Sequence, residues 1–248
     1  MTQWLAATLL ALLMSVTPAQ YGIARAEVPE VDLLLVLAAD ISRSVDGAKF
    51  KLQREGYAAA LTDPMVMSAI RSVPSGRIAI CFVEWSGTNA QTVVVDWTEI
   101  SAPEHAEAFA NRLRDSPRLF AERTAIGSAI DYAVSHIERS PFKAARTIID
   151  VSGDGTNNIG RSASDARDEA VARGITINGL AILSAVPLPS NPRHTHPDGG
   201  LLKYFQDNVI GGPGAFAIAA EGHEDFGKAI LAKLVKEIAL APVSTMTR

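Results

Sequence analysis

Residues 31–44, VDLLLVLAADISRS, contain the pattern that determines the fold. The stretch from Val31 to Ala39 is almost entirely apolar, and it ends at Asp40. A short apolar run without polar alternation is typical of a β-strand that is covered on both faces, as in a parallel sheet. We therefore expect a layered α/β domain in which this strand is buried and a polar segment follows it.

Five further stretches have the composition of strands, and turn or helix signals lie between them. They are Arg77–Trp85, Thr92–Trp97, Thr147–Val151, Ile175–Leu183 and Ala215–Ala220. The turn sequence Ser86–Asn89 separates the first two, which predicts a hairpin at one side of the sheet.

Apolar residues at helical spacing occupy the segments between these strands. A helix is expected from about Ser44 to Asp63–Pro64, and Ser101-Ala-Pro-Glu104 predicts a capping box at the start of the next helix. Later helices are expected over residues 126–137, 164–173, 201–209 and 226–238. Strands that alternate with helices imply right-handed crossovers, so we predict a doubly wound α/β fold with a mostly parallel sheet and helices on both faces.

The composition excludes several functional classes. The chain has 248 residues, 48% of them apolar and 20% charged, which is ordinary for a globular protein and unlike a disordered or fibrous one. Lys plus Arg number 23 and Asp plus Glu number 27, so the net charge of −4 offers no broad basic surface for nucleic acid or an anionic membrane. The single cysteine, Cys81, excludes an intramolecular disulfide and a thiolate metal cluster, and we expect it to be buried in its strand.

Residues 1–26 predict a secretory signal peptide, followed by one domain over residues 27–248. Residues 4–16, WLAATLLALLMSV, are uncharged and apolar but shorter than the roughly 20 residues that a membrane-spanning helix needs. Ala24-Arg25-Ala26 is a cleavage pattern, with cleavage after Ala19 as the alternative. No lysine or arginine precedes the apolar stretch, which leaves a buried or anchoring helix as the second interpretation. We expect a periplasmic or secreted protein without a stable membrane anchor after cleavage.

Oxygen-bearing side chains follow two of the predicted strands, where ligands of doubly wound sheets bind. In Asp40-Ile-Ser42-Arg-Ser44, a carboxylate and two hydroxyls can direct three oxygens into one small space. Asp154 follows a later strand, and Thr124 precedes the helix that starts at 126. Such oxygens suit a hard cation such as Mg²⁺, whereas zinc would require the nitrogen or sulfur of His or Cys. The predicted metal ligands are therefore Asp40, Ser42, Ser44, Thr124 and Asp154.

This set of motifs resembles the von Willebrand factor A domain with its metal-ion-dependent adhesion site. The resemblance extends in motif order from about residue 31 to about residue 240. It implies a Rossmann-like domain with Mg²⁺ or Mn²⁺ at its upper rim, where the Asp or Glu of a protein partner fills the last coordination position. The sequence leaves Mg²⁺, Mn²⁺ and Ca²⁺ open as the resident ion. Gly153 departs from the family pattern, which more often runs from Ser or Thr directly into Asp-Gly, and this leaves the reach of Asp154 open. The motifs that resemble the family are Asp40-x-Ser42-x-Ser44, Thr124 with Gly127, and Asp154-Gly155.

Three functions remain open from the sequence. The favoured one, implied by the resemblance, is an exported binding module without enzymatic activity. The second is a metal-dependent hydrolase, for instance a phosphatase, that uses the same cation as a Lewis acid and needs a positioned base. Only Glu84 and the histidines are available as bases. We expect Glu84 to be a surface carboxylate near a turn, with a place directly behind the metal ligands as the alternative. His194 and His196 are expected to lie in a solvated loop over residues 185–200, which could contribute to a partner surface. The third is a structural role in which the motif holds no ion.

Overall fold

The computed structural model describes residues 28–239. The predicted signal peptide and both cleavage positions lie outside this range. The elements in chain order are β1 (Glu30–Asp40), α1 (Gly47–Thr62), α2 (Pro64–Ser72), β2 (Ile78–Trp85), β3 (Gln91–Ile100), α3 (Pro103–Asp115), α4 (Ile126–Glu138), β4 (Lys143–Gly153), α5 (Ala163–Ala172), β5 (Thr176–Ile182), α6 (Pro192–Thr195), α7 (Leu201–Asn208), β6 (Ala217–Ala220) and α8 (Phe226–Ala239).

The strands form a six-stranded sheet in the order β3-β2-β1-β4-β5-β6. Within residues 28–239, β3 alone runs antiparallel, and it pairs with β2 as the predicted hairpin. After β1 the chain builds β2 and then β3 on one side of that strand, and it then crosses to build β4, β5 and β6 on the other side. The strand order therefore reverses between β1 and β4. This topology confirms the doubly wound, mostly parallel α/β fold, and it places the switch point, where such sheets bind ligands, at the end of β1.

Helices cover both faces of the sheet, which explains why β1 shows no polar alternation. Leu35 and Leu37 face a core formed with α1, α2, α3 and α8, whereas Val36 and Ala38 face a second core formed with α4, α5 and α7. In the first core, the ring of Tyr57 makes edge contacts with two phenylalanine rings, at centroid distances of 4.8 and 5.0 Å. Both sides of the strand therefore gain from apolar burial.

Two predictions about helix starts were wrong, although the helices themselves form. The first helix begins at Gly47, because the carboxylate of Asp46 accepts hydrogen bonds from the backbone at Ala48 and Lys49 and caps this end. Asp63 ends that helix but also caps α2, a helix that the apolar spacing did not reveal.

The predicted capping box at Ser101 is also absent. Ala102 is the residue that precedes α3, and no side chain caps it. The Ser101 hydroxyl instead contacts Glu99 Oε1 at 3.2 Å and His105 Nδ1 at 3.3 Å. The proline at the first helical position, which has no N–H to satisfy, still marks the correct start of the helix.

A fully buried charge cluster joins α8 to β4, the strand that ends just before Asp154. Lys233 Nζ lies 2.6 Å from Asp150 Oδ1 of β4 and also binds Glu237 Oε1, one turn further along α8. Asn178 of β5 donates to Glu237 Oε1 at 2.8 Å. Burial and the neighbouring charge of Asp150 raise the pKa of Glu237 to about 7, with Lys233 opposing the shift.

One simpler prediction, the burial of Cys81, can be compared directly with the structure. Cys81 is fully buried in β2, as expected. Over residues 28–239, no helix has the length and apolar character needed to cross a membrane.

Candidate metal centre

Three loops meet at the carboxyl end of the parallel strands. They follow β1, precede α4 and follow β4, and backbone hydrogen bonds connect them. Arg43 N–H donates to Glu122 O at 2.9 Å, and Asn158 N–H donates to Thr124 O at 2.9 Å. Because β1 and β4 are parallel neighbours, the segments that follow them leave the sheet at the same edge.

The structure brings all five predicted ligands together in this place. Ser42 Oγ lies 3.1 Å from Ser44 Oγ, and Thr124 Oγ1 donates to Ser42 Oγ at 3.2 Å. Ser44 Oγ donates to Asp154 Oδ1 at 2.5 Å, across 110 residues of sequence. Asp40 joins the group through its Oδ1, which accepts the N–H of Ser42 at 2.7 Å. Oxygens from three separate stretches of chain therefore line one small space.

The two acidic side chains of this group are buried and only partly compensated. Asp40 is fully buried and Asp154 is 3% exposed. Burial, and secondarily the negative charge of Asp154, raise the pKa of Asp40 to about 8, while hydrogen bonds from Ser42 and the charge of Arg118 oppose the shift. Asp40 Oδ2 is buried and has no hydrogen-bond partner among the described residues. An unpartnered buried carboxylate oxygen is costly, and a nearby cation would relieve that cost.

The donor set fits a hard divalent cation. Neighbouring hydroxyl oxygens lie 3.1 and 3.2 Å apart, close to the roughly 3 Å that separates adjacent ligands around Mg²⁺ when each metal–oxygen distance is about 2.1 Å. Among residues 28–239, no group of three or more His, Cys, Asp or Glu side chains is arranged to hold a metal. Hydroxyl groups would therefore have to supply much of the coordination, together with the two carboxylates.

Gly153, the departure from the family pattern, has a physical reason in this structure. A Cβ atom at this position would lie 3.2 Å from Asp40 Oδ2 and 3.5 Å from Asp40 Cβ. The glycine therefore leaves room for the Asp40 carboxylate at the end of β4. It does not move Asp154 away, since that carboxylate still accepts the Ser44 hydroxyl.

His194 is the residue at this site that the sequence analysis missed. The prediction of a solvated loop was wrong for this residue, because its side chain is buried, with 3% exposure, and Nε2 lies 3.3 Å from Thr124 Oγ1. Burial lowers the pKa of His194, with the charge of Asp154 opposing the shift. The one-turn helix α6 carries it, so the segment over 185–200 is not entirely irregular. His196, two residues further on, is exposed as expected.

Glu84 does not belong to the cation site, and it is not a surface carboxylate as predicted. It is 1% exposed, and its Oε1 accepts a hydrogen bond from Arg54 Nε at 2.7 Å. Burial raises the pKa of Glu84, and Arg54 partly offsets this effect. Arg54 also donates to the backbone carbonyls of Leu113 and Ser116, so this ion pair attaches α1 to the end of α3.

A cavity of about 350 Å³ opens beside the hydroxyl groups. Its walls come from the loops after β1 and β4, the loop before α4, and the segment that contains α6. Arginine, amide and hydroxyl side chains predominate in its lining. They include Ser42, Arg43, Ser44, Glu122, Arg123, Thr124, Asn158, Leu188, Ser190, Asn191 and His194.

Solved structures with a similar fold are distant in sequence. Proximal thread matrix protein 1 from the mussel byssus is 14% identical with a TM-score of 0.55, over 86% of this chain and 47% of that one. A von Willebrand factor type A structure from Catenulispora acidiphila is 14% identical with a TM-score of 0.55, over 84% of this chain and 43% of that one. The pilus adhesin SpaC from Lactobacillus rhamnosus GG, in its open conformation, is 15% identical with a TM-score of 0.57, over 84% of this chain and 30% of that one.

These likenesses establish the fold. The chain spans about half the length of the byssus protein and less of the other two. A further structure of the byssus protein, 13% identical with a TM-score of 0.54 over 84% of this chain and 46% of that one, is described as having a zinc-occupied MIDAS motif, the metal-ion-dependent adhesion site. No curated protein matches the sequence. The family described as "Protein of unknown function (DUF1194)" matches residues 30–242, so the chain belongs to this family, and it has a von Willebrand factor A-like fold.

Proposed function

We propose that this protein is an exported binding module that holds a divalent cation and captures an acidic side chain of a protein partner. The observation that carries the proposal is the meeting of five oxygen-bearing side chains at the carboxyl end of the parallel strands, together with the buried and unpartnered Oδ2 of Asp40. Mg²⁺, Mn²⁺ or Ca²⁺ bound there would offset the two buried carboxylates and attract an external carboxylate. The residues that would hold the ion are Asp40, Ser42, Ser44, Thr124 and Asp154.

The cavity beside the site supports an acidic partner. Two arginines, Arg43 and Arg123, and one glutamate, Glu122, are the charged residues in its lining, so its wall has a net positive charge before any cation binds. Its volume of about 350 Å³ is near the lower end of ligand pockets, which span about 300–1,000 Å³. A protruding acidic side chain with its flanking residues suits such a space better than a flat surface does.

Capture explains the site better than hydrolysis does. A hydrolase would need a base beside the cation. Glu84 is paired with Arg54, and both ring nitrogens of His194 have polar neighbours, so neither of these two is free to act as one. The relatives in which this fold occurs include a pilus adhesin and a matrix protein of the byssus, which also supports a binding role.

A peptide-binding experiment tests the proposal. The purified protein is applied to an array of peptides centred on Asp or Glu and to matched peptides centred on Asn or Gln, in Mg²⁺ and in EDTA. We expect retention that requires both the carboxylate and the cation, is lost in Asp154→Ala, and persists in the control Glu107→Ala, which removes an exposed carboxylate on α3.

Two outcomes would contradict the proposal. The first is retention that is the same in Mg²⁺ and in EDTA, because the cation would then have no part in it. The second is Mg²⁺-dependent turnover of a panel of phosphate and carboxylic esters that Asp154→Ala abolishes. That result would favour the hydrolase.

A further inference from the structure

The hydrogen bonds around His194 favour one of its two ring nitrogens as the site of the proton. The N–H of Thr124 donates to Asn158 Oδ1 at 3.0 Å, which turns the NH₂ group of that amide toward His194 Nδ1, 3.4 Å away. An amide NH₂ can only donate, so Nδ1 must accept. The neutral imidazole therefore carries its proton on Nε2.

This proton is directed at one of the proposed ligands. Nε2 lies 3.3 Å from Thr124 Oγ1, so the imidazole donates and the threonine oxygen accepts. The threonine's own proton is donated to Ser42 Oγ at 3.2 Å. A hydroxyl oxygen has two acceptor positions, and His194 occupies one of them, which leaves one lone pair of Thr124 for a cation.

The ring is held firmly in this position. The backbone carbonyl of His194 accepts the N–H of Thr156 at 2.9 Å, and the Thr156 hydroxyl lies 3.4 Å from the ring's Nδ1. Gly155 lies directly against the ring, because a Cβ atom there would be 2.1 Å from His194 Cε1 and 2.2 Å from Nε2. The segment before α7 is thereby attached to the loop that carries Asp154.

We infer that His194 is a positioning residue of the cation site, which acts through Thr124 by fixing the orientation of its hydroxyl, so that the remaining lone pair is available to the ion. The inference rests on the proposed function, because it requires a cation to bind there. The inference extends the cation site beyond the three sequence motifs, because His194 lies in the segment over residues 185–200. Hydrogen-bond donors that contact a metal ligand, but not the metal itself, orient that ligand.

Two conservative variants separate this role from a merely structural one. In His194→Gln the side-chain amide can place an N–H donor where Nε2 is, whereas in His194→Asn the shorter amide reaches only the position of Nδ1. His194→Ala removes both groups, and His196→Ala is the matched control, since that histidine is exposed in the same segment.

The probe is Mn²⁺ alone, titrated calorimetrically into each metal-free variant. We expect His194→Asn and His194→Ala to weaken the Kd for Mn²⁺ by about 10–100-fold, as for other partners of metal ligands, and His194→Gln and His196→Ala to change it by about threefold or less. Equal weakening in the Gln and Asn variants would overturn the positioning role.

Asp40→Asn distinguishes failure of this inference from failure of the proposed function. If the wild type binds Mn²⁺, Asp40→Asn does not, and His194→Ala binds like the wild type, the inference alone is overturned. If the wild type binds no Mn²⁺, the proposed function is overturned and the inference with it. Long-range ¹H–¹⁵N spectra of the metal-free protein give an independent result: a proton on Nε2 of His194 supports the inference, and a proton on Nδ1 contradicts it.

Discussion

Asp40 should make the metal-free protein less stable as the pH rises. Burial and the charge of Asp154 raise the pKa of this carboxyl from 3.8 to about 8 in the folded state. Between these two values the folded protein keeps the proton while the unfolded chain releases it. The free energy of unfolding therefore falls as the pH increases through this window, and the contribution of Asp40 is lost above the folded pKa.

The size of the effect follows from the shift. One pKa unit corresponds to about 1.4 kcal/mol, so the whole shift sets an upper limit of about 6 kcal/mol, of which up to about 4 kcal/mol falls between about pH 5 and about pH 8. Glu237, whose pKa is raised to about 7, contributes in the same direction. Asp40→Asn isolates the share of Asp40, because it keeps the shape of the side chain and removes its titration.

Urea unfolding of the EDTA-treated protein at several pH values measures this share. We expect the wild type to lose several kcal/mol of unfolding free energy from about pH 5 to about pH 8, and Asp40→Asn to lose clearly less. Mg²⁺ should restore stability to the wild type at high pH and leave the variant unchanged, because the ion favours the charged carboxylate. Equal pH dependence in the two metal-free proteins would refute the argument that Asp40 is a buried, only partly compensated acid.

Two further variants test the surroundings of the site. Lys233→Met should lower the free energy of unfolding by about 3–5 kcal/mol in urea titrations, because it leaves two buried carboxyl groups without the lysine ammonium that they share. Lys228→Met, on the exposed side of the same helix, is the control. A similarly small loss of unfolding free energy in both variants would contradict a buried charge cluster. Gly155→Ala should displace the ring of His194 and weaken the Kd for Mg²⁺ about tenfold in calorimetry. The control is Gly47→Ala, where an added Cβ meets nothing within 4 Å and the Kd should not change. An unchanged Kd in Gly155→Ala as well would show that displacing the His194 ring does not affect cation binding.

The sequence predicted the fold and the meeting of the five oxygens for a simple reason. Apolar strands covered on both faces have a recognisable composition, and the residues that follow neighbouring parallel strands must emerge at one edge of the sheet. Asp40 and Asp154 are such residues. Thr124 was a weaker prediction, because the loop that carries it follows a helix and not a strand; its place before a helix made it a candidate hydroxyl, and the motif order of the family supported it.

The sequence could not predict His194 or the local hydrogen bonds. The segment before α7 is rich in proline and has no periodicity, so nothing in it indicates that one histidine is buried and its near neighbour exposed. The position of His194 depends on Gly155 and Thr156, which are distant in sequence. Ser101 shows the same limit: its spacing matched a capping box, but Glu99 and His105 were available as alternative partners.

Calorimetric titration of Mg²⁺ into the purified wild type and into Asp40→Ala tests the central claim most directly. The five-oxygen site predicts saturable heat in the wild type and none in the variant, with both proteins folded by circular dichroism. Equal heats in the two proteins, or no heat in either, would contradict it.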